Sequence, residues 1–356
     1  WCNISTVLAA AAETPARGDR PTAIAALAEM TRSAIAAHTI ADVPVGVFLS
    51  AGLDSAVIAS AAITNAPQSF TLTLGFDEYA GTANDEVPAA EAMARMVDAR
   101  HTTLMVSRKD FEAEREKLLA AMDQPSTDGV NSWFIARAAA HMNLKVALSG
   151  LGGDELFASY PSFGQLPRLV RYCAPLAGFP TLGRRVRRFA SPLVSRLTSP
   201  KYAGMLEYGK TLGSAYLLRR CLFAPWELAG TLDPDLAQAG LAELESVSQL
   251  DATTHGIAGD RLAVSALEMS WYMRNQLLRD ADWAGMAQSL EIRVPFVDLP
   301  LLREAAPWLA AYPDITKAEI ARAVNPKLPD SVLARPKTGF SVPVRDWLLT
   351  GKVKRG

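Results

Sequence analysis

Cysteine and histidine are scarce in this sequence, which has three cysteines and four histidines among 356 residues. Cys2, Cys173 and Cys221 lie far apart, so their spacing matches neither a disulfide framework nor a zinc site. The histidines show no metal-ligand spacing either. A few thiols without a framework are typical of proteins in a reducing compartment, and we therefore expect a cytoplasmic location.

Long apolar runs and an excess of charge are missing as well. No run approaches the roughly 18 to 20 apolar residues that a membrane-spanning helix requires. The alanine-rich residues 7–12 have no basic segment before them, which argues against a signal peptide. With 36 basic and 37 acidic side chains, the net charge of −1 gives no indication of a nucleic-acid partner. The basic residues 184–188 (RRVRR) are interpreted as a solvated helix face rather than a nucleic-acid or membrane patch.

The first half of the chain alternates between two patterns. Short runs rich in Val, Leu and Phe are typical of buried strands, and they predict strands at residues 43–50, 69–76, 101–106 and 144–149. Helical patterns lie around them, at residues 23–38, 55–63, 86–97, 109–122 and 130–142. Strands that alternate with helices predict an α/β fold, with a parallel sheet of about five strands and helices on both faces.

After about residue 161 the strand-like pattern ends, and prolines interrupt a sequence that we predict to be mostly helical. A domain boundary is placed near Phe163, so that residues 41–163 form the core with the sheet and residues 164–356 a mostly helical part that completes the site. Residues 1–40 are predicted to be a linker with a leading helix. The chain begins at Trp1 without a methionine and stops at Gly356 just after an amphipathic stretch, so we interpret it as part of a longer protein.

Residues 47–57 (VFLSAGLDSAV) indicate an anion-binding turn between a strand and a helix. The small residues from Ser50 to Ser55 let backbone N–H groups approach an anion, and the start of the helix adds positive potential. The turn lacks the G-x-x-x-x-G-K-[ST] pattern of common phosphate loops. Asp54 would repel a bare phosphate, but it fits a site in which Mg²⁺ joins the carboxylate to phosphate oxygens. A plain strand-to-helix turn with a capping residue is the alternative.

A second turn of the same kind spans residues 149–160 (SGLGGDELFASY). A predicted strand ends there in glycines, and Asp154 and Glu155 follow at the start of a helix. In an open parallel sheet such turns lie at the carboxyl ends of the strands, where ligands bind. Asp54 and Asp154 would then face one another across a crevice and share Mg²⁺. Ordinary helix capping is the alternative for Asp154 and Glu155.

Four motifs carry a family resemblance. The first turn resembles the S-G-G-x-D-S pyrophosphate loop of the ATP-pyrophosphatase superfamily, with Ala51 in place of a glycine. The second resembles the S-G-x-G-x-D-E-[LV]-F-x-x-Y signature of the glutamine-hydrolysing asparagine synthetase family. Residues 274–298 (RNQLLRD to LEIRVPFVD) and 335–343 (RPKTGFSVP) match that family in the same order. Glu91 and His101 also sit where the family places them, so the resemblance covers about residues 41–347.

The resemblance implies ATP and Mg²⁺ as cofactors. It implies a reaction in which ATP adenylates a carboxylate before the acyl group passes to nitrogen, with Asp54 and Asp154 as the metal ligands. The ATP-binding residues that it implies are Leu49, Ser50, Gly52, Asp54, Ser55, Leu74, Ser149 and Gly150.

Catalytic roles for Lys337, Arg293 and Glu155 are implied in the same way. Lys337 would stabilise the reacting phosphate or the acyl-transfer transition state, for which a flexible point charge is suited. Arg293 could bind a carboxylate or a phosphate with two parallel hydrogen bonds. An ion pair of Arg293 with Glu291 or Asp298 is an equal alternative.

The sequence departs from the family pattern on the acceptor side. Leu151 occupies a position where the family usually has a glutamate with a part in forming the acyl-adenylate or guiding the amine. Leucine can neither accept a proton nor orient a nucleophile. Residues 122–131 (MDQPSTDGVN) also differ from the usual run. Both differences concern the substrate and leave the use of ATP untouched.

The resemblance implies an amide-forming ligase, most naturally of the asparagine synthase type, that acts on a small carboxylate with ammonia or an amine as nitrogen donor. It also implies an N-terminal glutaminase domain in the full-length protein. A specialised natural-product or peptide amide synthetase or cyclase is the first alternative, and a regulatory module that binds nucleotide without catalysis is the second. No nucleic-acid or membrane partner is expected, and a homodimer is left open.

Overall fold

The computed structural model describes residues 2–66, 68–126, 128–176, 180–197, 199–335 and 342–350. Within these ranges every helix is too short or too polar to cross a lipid bilayer. The strands are β1 (Val45–Phe48), β2 (Phe70–Phe76), β3 (Arg100–Val106), β4 (Val146–Leu148) and β5 (Glu291–Arg293).

Helices make up most of the rest of the described chain. In chain order they are α1 (Ile4–Glu13), α2 (Arg20–His38), α3 (Leu53–Asn65), α4 (Val87–Met96), α5 (Arg108–Ala121), α6 (Gly129–His141), α7 (Gly153–Leu156), α8 (Ser162–Cys173), α9 (Pro180–Leu197), α10 (Met205–Tyr208), α11 (Leu212–Arg220), α12 (Pro234–Leu244), α13 (Ser246–Thr254), α14 (Asp260–Leu267), α15 (Leu278–Met286), α16 (Leu299–Ala311), α17 (Lys317–Val324), α18 (Asp330–Leu333) and α19 (Val344–Thr350). A π-helix, Glu268–Leu277, joins α14 to α15.

The five strands form one parallel sheet in the order β3-β2-β1-β4-β5. At its centre, Val47 of β1 pairs with Thr71 of β2 on one side and with Leu148 of β4 on the other. The chain moves outward from β1 through β2 to β3 and then returns to β4 on the other side of β1. Since crossovers between parallel strands are right-handed, this reversal puts α3 and α4 on one face and α6 on the other. The predicted α/β fold with about five parallel strands is confirmed.

The fifth strand corrects one part of the sequence analysis. β5 comes from the region after residue 161, which was predicted to be mostly helical and in which no strand was placed. It has three residues with charged side chains at both ends, so it is too short and too polar for a strand pattern. Its pairing with β4, with Val146 opposite Glu291, is what makes it a strand.

Local capping signals explain where the helices begin. Asp19 accepts a hydrogen bond from the N–H of Thr22 at the start of α2, and Pro21 follows in the first turn. Ser107 and Asp110 form a capping box at the start of α5. The predicted helices of the first half and the first four predicted strands agree with the observed ones to within a few residues.

The chain packs as two compact units. The sheet unit consists of Gly18–Phe157, Met273–Trp308 and Asp314–Gly356, and the helical unit of Trp1–Arg17, Ala158–Tyr272 and Leu309–Pro313. In the sheet unit, Leu74, Phe111 and Trp133 belong to one buried cluster. In the helical unit, Leu166 and Tyr216 belong to another. The predicted domain divisions after residues 40 and 163 stay predictions.

Candidate active site

The candidate site lies in the sheet unit, at the carboxyl ends of β1 and β4. The chain reverses its direction across the sheet between these neighbouring strands. Open α/β sheets bind ligands in the crevice outside such a reversal. The turn after β1 contains residues 49–52 and the turn after β4 contains residues 149–152, so both predicted motifs lie at this point.

The first turn has the form of an anion cradle. Gly52 precedes α3 with an extended backbone, and no side chain caps the helix. The N–H groups of the first helical turn and the positive end of the helix dipole are therefore presented to an anion. Ser55 Oγ accepts a hydrogen bond of 3.1 Å from the N–H of Ser50, and the two serine hydroxyls are 3.0 Å apart. Ser50, Gly52 and Ser55, all predicted to bind ATP, lie together here.

An acid from a neighbouring helix also contacts this turn. Glu86 precedes α4, and its Oε2 accepts a hydrogen bond of 3.4 Å from the N–H of Ala51. A carboxylate oxygen at this N–H resembles a phosphate oxygen in charge and in hydrogen-bonding capacity. The sequence analysis missed Glu86, because the contact joins residues 35 positions apart.

The second turn packs directly against Asp54, because its glycines have no side chains that would clash there. A Cβ added at Gly150 would lie 2.8 Å from Cβ of Asp54, and one added at Gly153 would lie 2.7 Å from its Cγ. Gly152 has a φ of +92°, which favours glycine. Helix α7 starts at Gly153 and carries Asp154 in its first turn, where the residue is 5% exposed. The two turns are therefore in direct contact.

For the ATP-dependent activation that the family resemblance implies, Gly153→Ala should lower the exchange of pyrophosphate into ATP by roughly tenfold to a hundredfold, because the new methyl group displaces the carboxylate of Asp54 and small displacements at a reacting centre are costly. The exchange rate is measured beside circular dichroism, which checks that the sheet unit stays folded. Gly164→Ala is the matched control, since a Cβ at Gly164 meets nothing within 4 Å. Exchange by the Gly153 variant at the unmodified rate would contradict this role of the glycine.

A lysine joins the two carboxylates that are predicted to bind metal. Lys317 Nζ lies 2.7 Å from Oδ2 of Asp54 and forms a second ion pair with Oδ1 of Asp154. The side chains of Lys317, Asp54 and Asp154 are 11%, 17% and 6% exposed. Within the described residues, the structure thus brings both acids to the ammonium group of Lys317.

The same two acids fit a magnesium ion. Oδ1 of Asp54 is buried and accepts no hydrogen bond from any described residue, so it has a free lone pair for a cation. Mg²⁺ is usually held by one or two carboxylates, with phosphate oxygens and waters completing its shell. The described part of the chain has no group of three or more Asp, Glu, His or Cys side chains placed to hold a metal ion. Magnesium binding by Asp54 and Asp154 stays a prediction.

The sequence analysis missed Lys317, although one signal points to it. Thr316 and Glu319 form a capping box, which marks Lys317 as the first residue of α17. A cation is unfavourable at the positive end of the helix dipole. A lysine at this position therefore indicates a partner elsewhere in the fold.

Arg293 is engaged in structural contacts. Its Nε lies 2.9 Å from Oε1 of Glu291, and its Nη1 donates to the carbonyl oxygens of His38 and Ile40 at 3.0 and 2.7 Å. The guanidinium therefore ties β5 to the end of α2. These contacts correspond to the alternative of an ion pair with Glu291, and a catalytic role for Arg293 stays a prediction.

The remaining residues that were predicted to bind ATP or to act in catalysis are mostly buried or lie outside the described ranges. Leu49 and Leu74 are 3% and 2% exposed, so ATP could reach them only through the backbone. The N–H of Ser149 donates to the carbonyl of Arg293 at 2.9 Å. Glu155 is 1% exposed, and its catalytic role stays a prediction. Lys337 lies outside the described residues.

Described residues of the divergent run 122–131 contact the π-helix and α15. Arg279 contacts Asp123 at 2.6 Å, and Gln276 donates to Asp128 at 3.0 Å. Ser126 donates to the buried carboxylate of Asp280, whose pKa is raised by burial. The described residues at the departure from the family pattern therefore make specific polar contacts within the sheet unit.

An apolar cavity of about 180 Å³ lies beside the first turn. Ser50 and Ala51 line it at one end, Ala92 and Met93 of α4 form one wall, and Arg335 contributes a positive charge. Ala51, which stands where the motif that the first turn resembles has a glycine, therefore adds a methyl group to the lining.

His101 and Glu91, which sit where the family has them, are linked by hydrogen bonds. His101 Nδ1 lies 2.9 Å from the hydroxyl of Thr71, and its Nε2 lies 3.1 Å from that of Thr103. Thr103 in turn donates to Glu91 at 3.0 Å. Burial lowers the pKa of His101, so at neutral pH the ring is uncharged in this network.

Comparisons with known proteins agree with the motifs. A model of the family described as asparagine synthase matches residues 26–355. A putative glutamine-hydrolyzing asparagine synthetase of Mycobacterium tuberculosis is 34% identical over 338 residues, which cover 90% of this chain and 48% of the relative. Glutamine-hydrolyzing asparagine synthetase 1 of Bacillus subtilis is 29% identical over 320 residues, which cover 87% of this chain and 48% of the relative. The chain spans about half the length of these relatives.

Proposed function

Since the chain belongs to the asparagine synthase family, we propose that it activates a carboxylate with ATP and transfers the acyl group to ammonia or an amine. The observation that carries this proposal is the meeting of Asp54 and Asp154 at one cation beside the uncapped start of α3. A pair of carboxylates next to an anion cradle suits a magnesium complex of a nucleotide.

In the proposed first step, an oxygen of the substrate carboxylate attacks the α-phosphorus of ATP. The bond to the β-phosphate oxygen breaks, and pyrophosphate leaves with the electron pair. Mg²⁺ held by Asp54 and Asp154 would neutralise the charge on the leaving group. Donors aimed at developing charge stabilise such a transition state, and the hydroxyls of Ser50 and Ser55 lie where they can donate. The Glu86 carboxylate has to leave the N–H of Ala51 if a phosphate oxygen is to bind there.

In the proposed second step, the nitrogen nucleophile attacks the acyl carbon and AMP leaves. Leu151 cannot remove a proton from the nucleophile, so the amine has to arrive uncharged or lose its proton to another group. The relatives are named as glutamine-hydrolyzing, and we propose that glutamine supplies the ammonia in the full-length protein. A cytoplasmic location and a homodimer are parts of the same proposal that rest on the family alone.

Residues 123–128 and Leu151 favour a second candidate within the same chemistry, a natural-product or peptide amide synthetase or cyclase. The ion pair of Asp123 with Arg279 and the bond of Gln276 to Asp128 give this segment a specific arrangement. An acyl substrate other than aspartate would account for the departure from the family sequence. A regulatory module that binds ATP without catalysis is the third candidate.

Exchange of labelled pyrophosphate into ATP, measured with a panel of carboxylates, separates these candidates. Exchange that depends on aspartate supports the asparagine synthase type. Exchange that depends only on another acid supports the second candidate. Binding of ATP without exchange for any acid overturns the proposal of carboxylate activation and leaves the regulatory module. Product formation with ammonium and with glutamine, compared for the acid that supports exchange, then tests the nitrogen source.

A further inference from the structure

Lys317 contacts both of the carboxylates that are proposed to hold a divalent cation. Its ammonium group contacts Oδ2 of Asp54 at 2.7 Å and also pairs with Oδ1 of Asp154. A magnesium ion bound to the same oxygens would lie about 2.0 to 2.1 Å from them. Oδ1 of Asp54 is open to a metal ion, but an ion that also takes Oδ1 of Asp154 has to displace the ammonium group from that oxygen.

The charges lead to the same conclusion. The two carboxylates carry a charge of −2, and with the ammonium group these three largely buried side chains have a net charge of −1. A divalent ion added beside the ammonium would bring +3 against −2, with two cations in contact. Repulsion at such distances is strong where water is largely excluded.

Lys317 is held at this position by more than its own ion pairs. Its helix α17 starts with the capping box of Thr316 and Glu319, and Arg20 of α2 donates to Glu319 at 2.9 and 3.1 Å. At the other end of α17, Arg32 of α2 donates to the carbonyl oxygens of Ala323 and Val324 at 2.9 and 3.3 Å. Arg20 and Arg32 are about 18 Å apart along α2.

Both ends of α17 are thus fixed to α2. The Thr316 N–H, which donates to the carboxylate, lowers the pKa of Glu319 and keeps it charged for its bond to Arg20. The backbone that carries Lys317 is therefore fixed. Movement of the ammonium away from the carboxylates has to come from the flexible lysine side chain.

We propose that Lys317 is a displaceable stand-in for the divalent cation: it offsets part of the charge of Asp54 and Asp154 in the metal-free protein and leaves them when the metal binds. The proposal rests on the proposed function in one respect, since the metal belongs to the nucleotide site. It has two consequences. The two acids stay together without metal, and the nucleotide-free protein binds divalent ions weakly because each ion has to displace the lysine.

Titration of the nucleotide-free protein with Mn²⁺, followed by the electron paramagnetic resonance signal of the free ion, tests this competition. We expect Lys317→Met to bind Mn²⁺ at least about tenfold more tightly than the unmodified chain, because the competing charge is gone. Lys317→Arg keeps the charge, so it should bind within about twofold of the unmodified chain. Lys327→Met is the matched control, since Lys327 is exposed, and it should change nothing.

A second set of variants tests whether Mn²⁺ binds at the two carboxylates. Lys317→Met combined with Asp154→Asn should lose the gain in Mn²⁺ affinity. A gain that persists in this double variant would put the ion elsewhere and overturn the proposal, as would a Lys317→Met protein that binds Mn²⁺ no more tightly than the unmodified chain. If Lys317→Met does not fold, Lys317→Gln takes its place. Thermal unfolding checks the fold of each variant.

The result is independent of the reaction. If the Mn²⁺ affinities follow the expected order while no carboxylate supports pyrophosphate exchange, the proposed function fails and the role of Lys317 stands. If exchange occurs while Lys317→Met leaves the Mn²⁺ affinity unchanged, the role of Lys317 fails alone.

Discussion

Asp54→Asn and Asp154→Asn should each lower the exchange of pyrophosphate into ATP by about a thousandfold or more. Each change removes one of the two carboxylates that meet at the cation. A metal that stabilises charge in the transition state contributes several kcal/mol, and each ~1.36 kcal/mol corresponds to a factor of ten in rate. The measurement is the exchange rate at saturating ATP with the carboxylate that the unmodified chain prefers.

Asp42→Asn is the matched control for these two variants. Asp42 is exposed and precedes β1, at the amino ends of the strands and away from the candidate site. Its amide variant should therefore retain full exchange. Urea unfolding of all three proteins shows whether the fold survives, because an amide at position 54 or 154 leaves Lys317 with one carboxylate partner. A folded Asp54→Asn or Asp154→Asn protein with near-normal exchange would show that the metal assignment is wrong.

Arg220→Met should destabilise the helical unit by about 3 to 5 kcal/mol, because it leaves the carboxylate of Glu268 buried without its cation. Glu268 is 0% exposed, and Arg220 donates to its Oε2 at 2.7 and 3.1 Å. Ser162 also donates to Glu268 at 2.6 Å, and Tyr216 donates at 3.2 Å. The free energy of unfolding in urea, followed by near-UV circular dichroism, measures the loss.

The rings around Arg220 explain why the loss exceeds that of an ordinary ion pair. The guanidinium lies 3.7 Å from the ring centroid of Tyr272 and 5.0 Å from that of Tyr160, so methionine also loses two cation–π contacts. Burial, together with the charge of Glu268, raises the pKa of Tyr216, so this phenol stays protonated and keeps donating its hydrogen bond.

Two further variants test the charge argument. Glu268→Gln should cost less than Arg220→Met, because Arg220 is partly exposed and water can solvate its charge. The exposed Arg171 of α8 provides the control, and Arg171→Met should change the free energy of unfolding by less than about 0.5 kcal/mol. A loss for Arg220→Met that matches the Arg171 control would show that the buried pair is not needed for stability.

Much of the fold could be predicted because its signals are local. Apolar runs ending in small residues marked β1 and β4, and the helical patterns between the runs marked the helices of the first half. β5 escaped prediction because its three residues carry no pattern of their own and become a strand only beside β4.

The site divides in the same way. Two short motifs contain the predicted residues Ser50, Gly52, Asp54 and Asp154. Parallel pairing of β1 with β4 brings both motifs to the carboxyl ends of the strands. Glu86 contacts the first motif from 35 residues away and Lys317 from 263 residues away. No local pattern could have paired them, because contacts of this length depend on how the helices pack.

By itself the sequence determined a parallel α/β core with two acidic turns, since the period of its apolar residues and the placement of its glycines act over a few residues at a time. Only the tertiary structure decided which cation stands between the two acids. Helix α17 reaches the sheet because Arg20 and Arg32 fix it to α2, and the ammonium of Lys317 then meets carboxylates that come from two different strand ends. Electrostatic attraction between charges so far apart in the chain operates only after the core has brought them within reach.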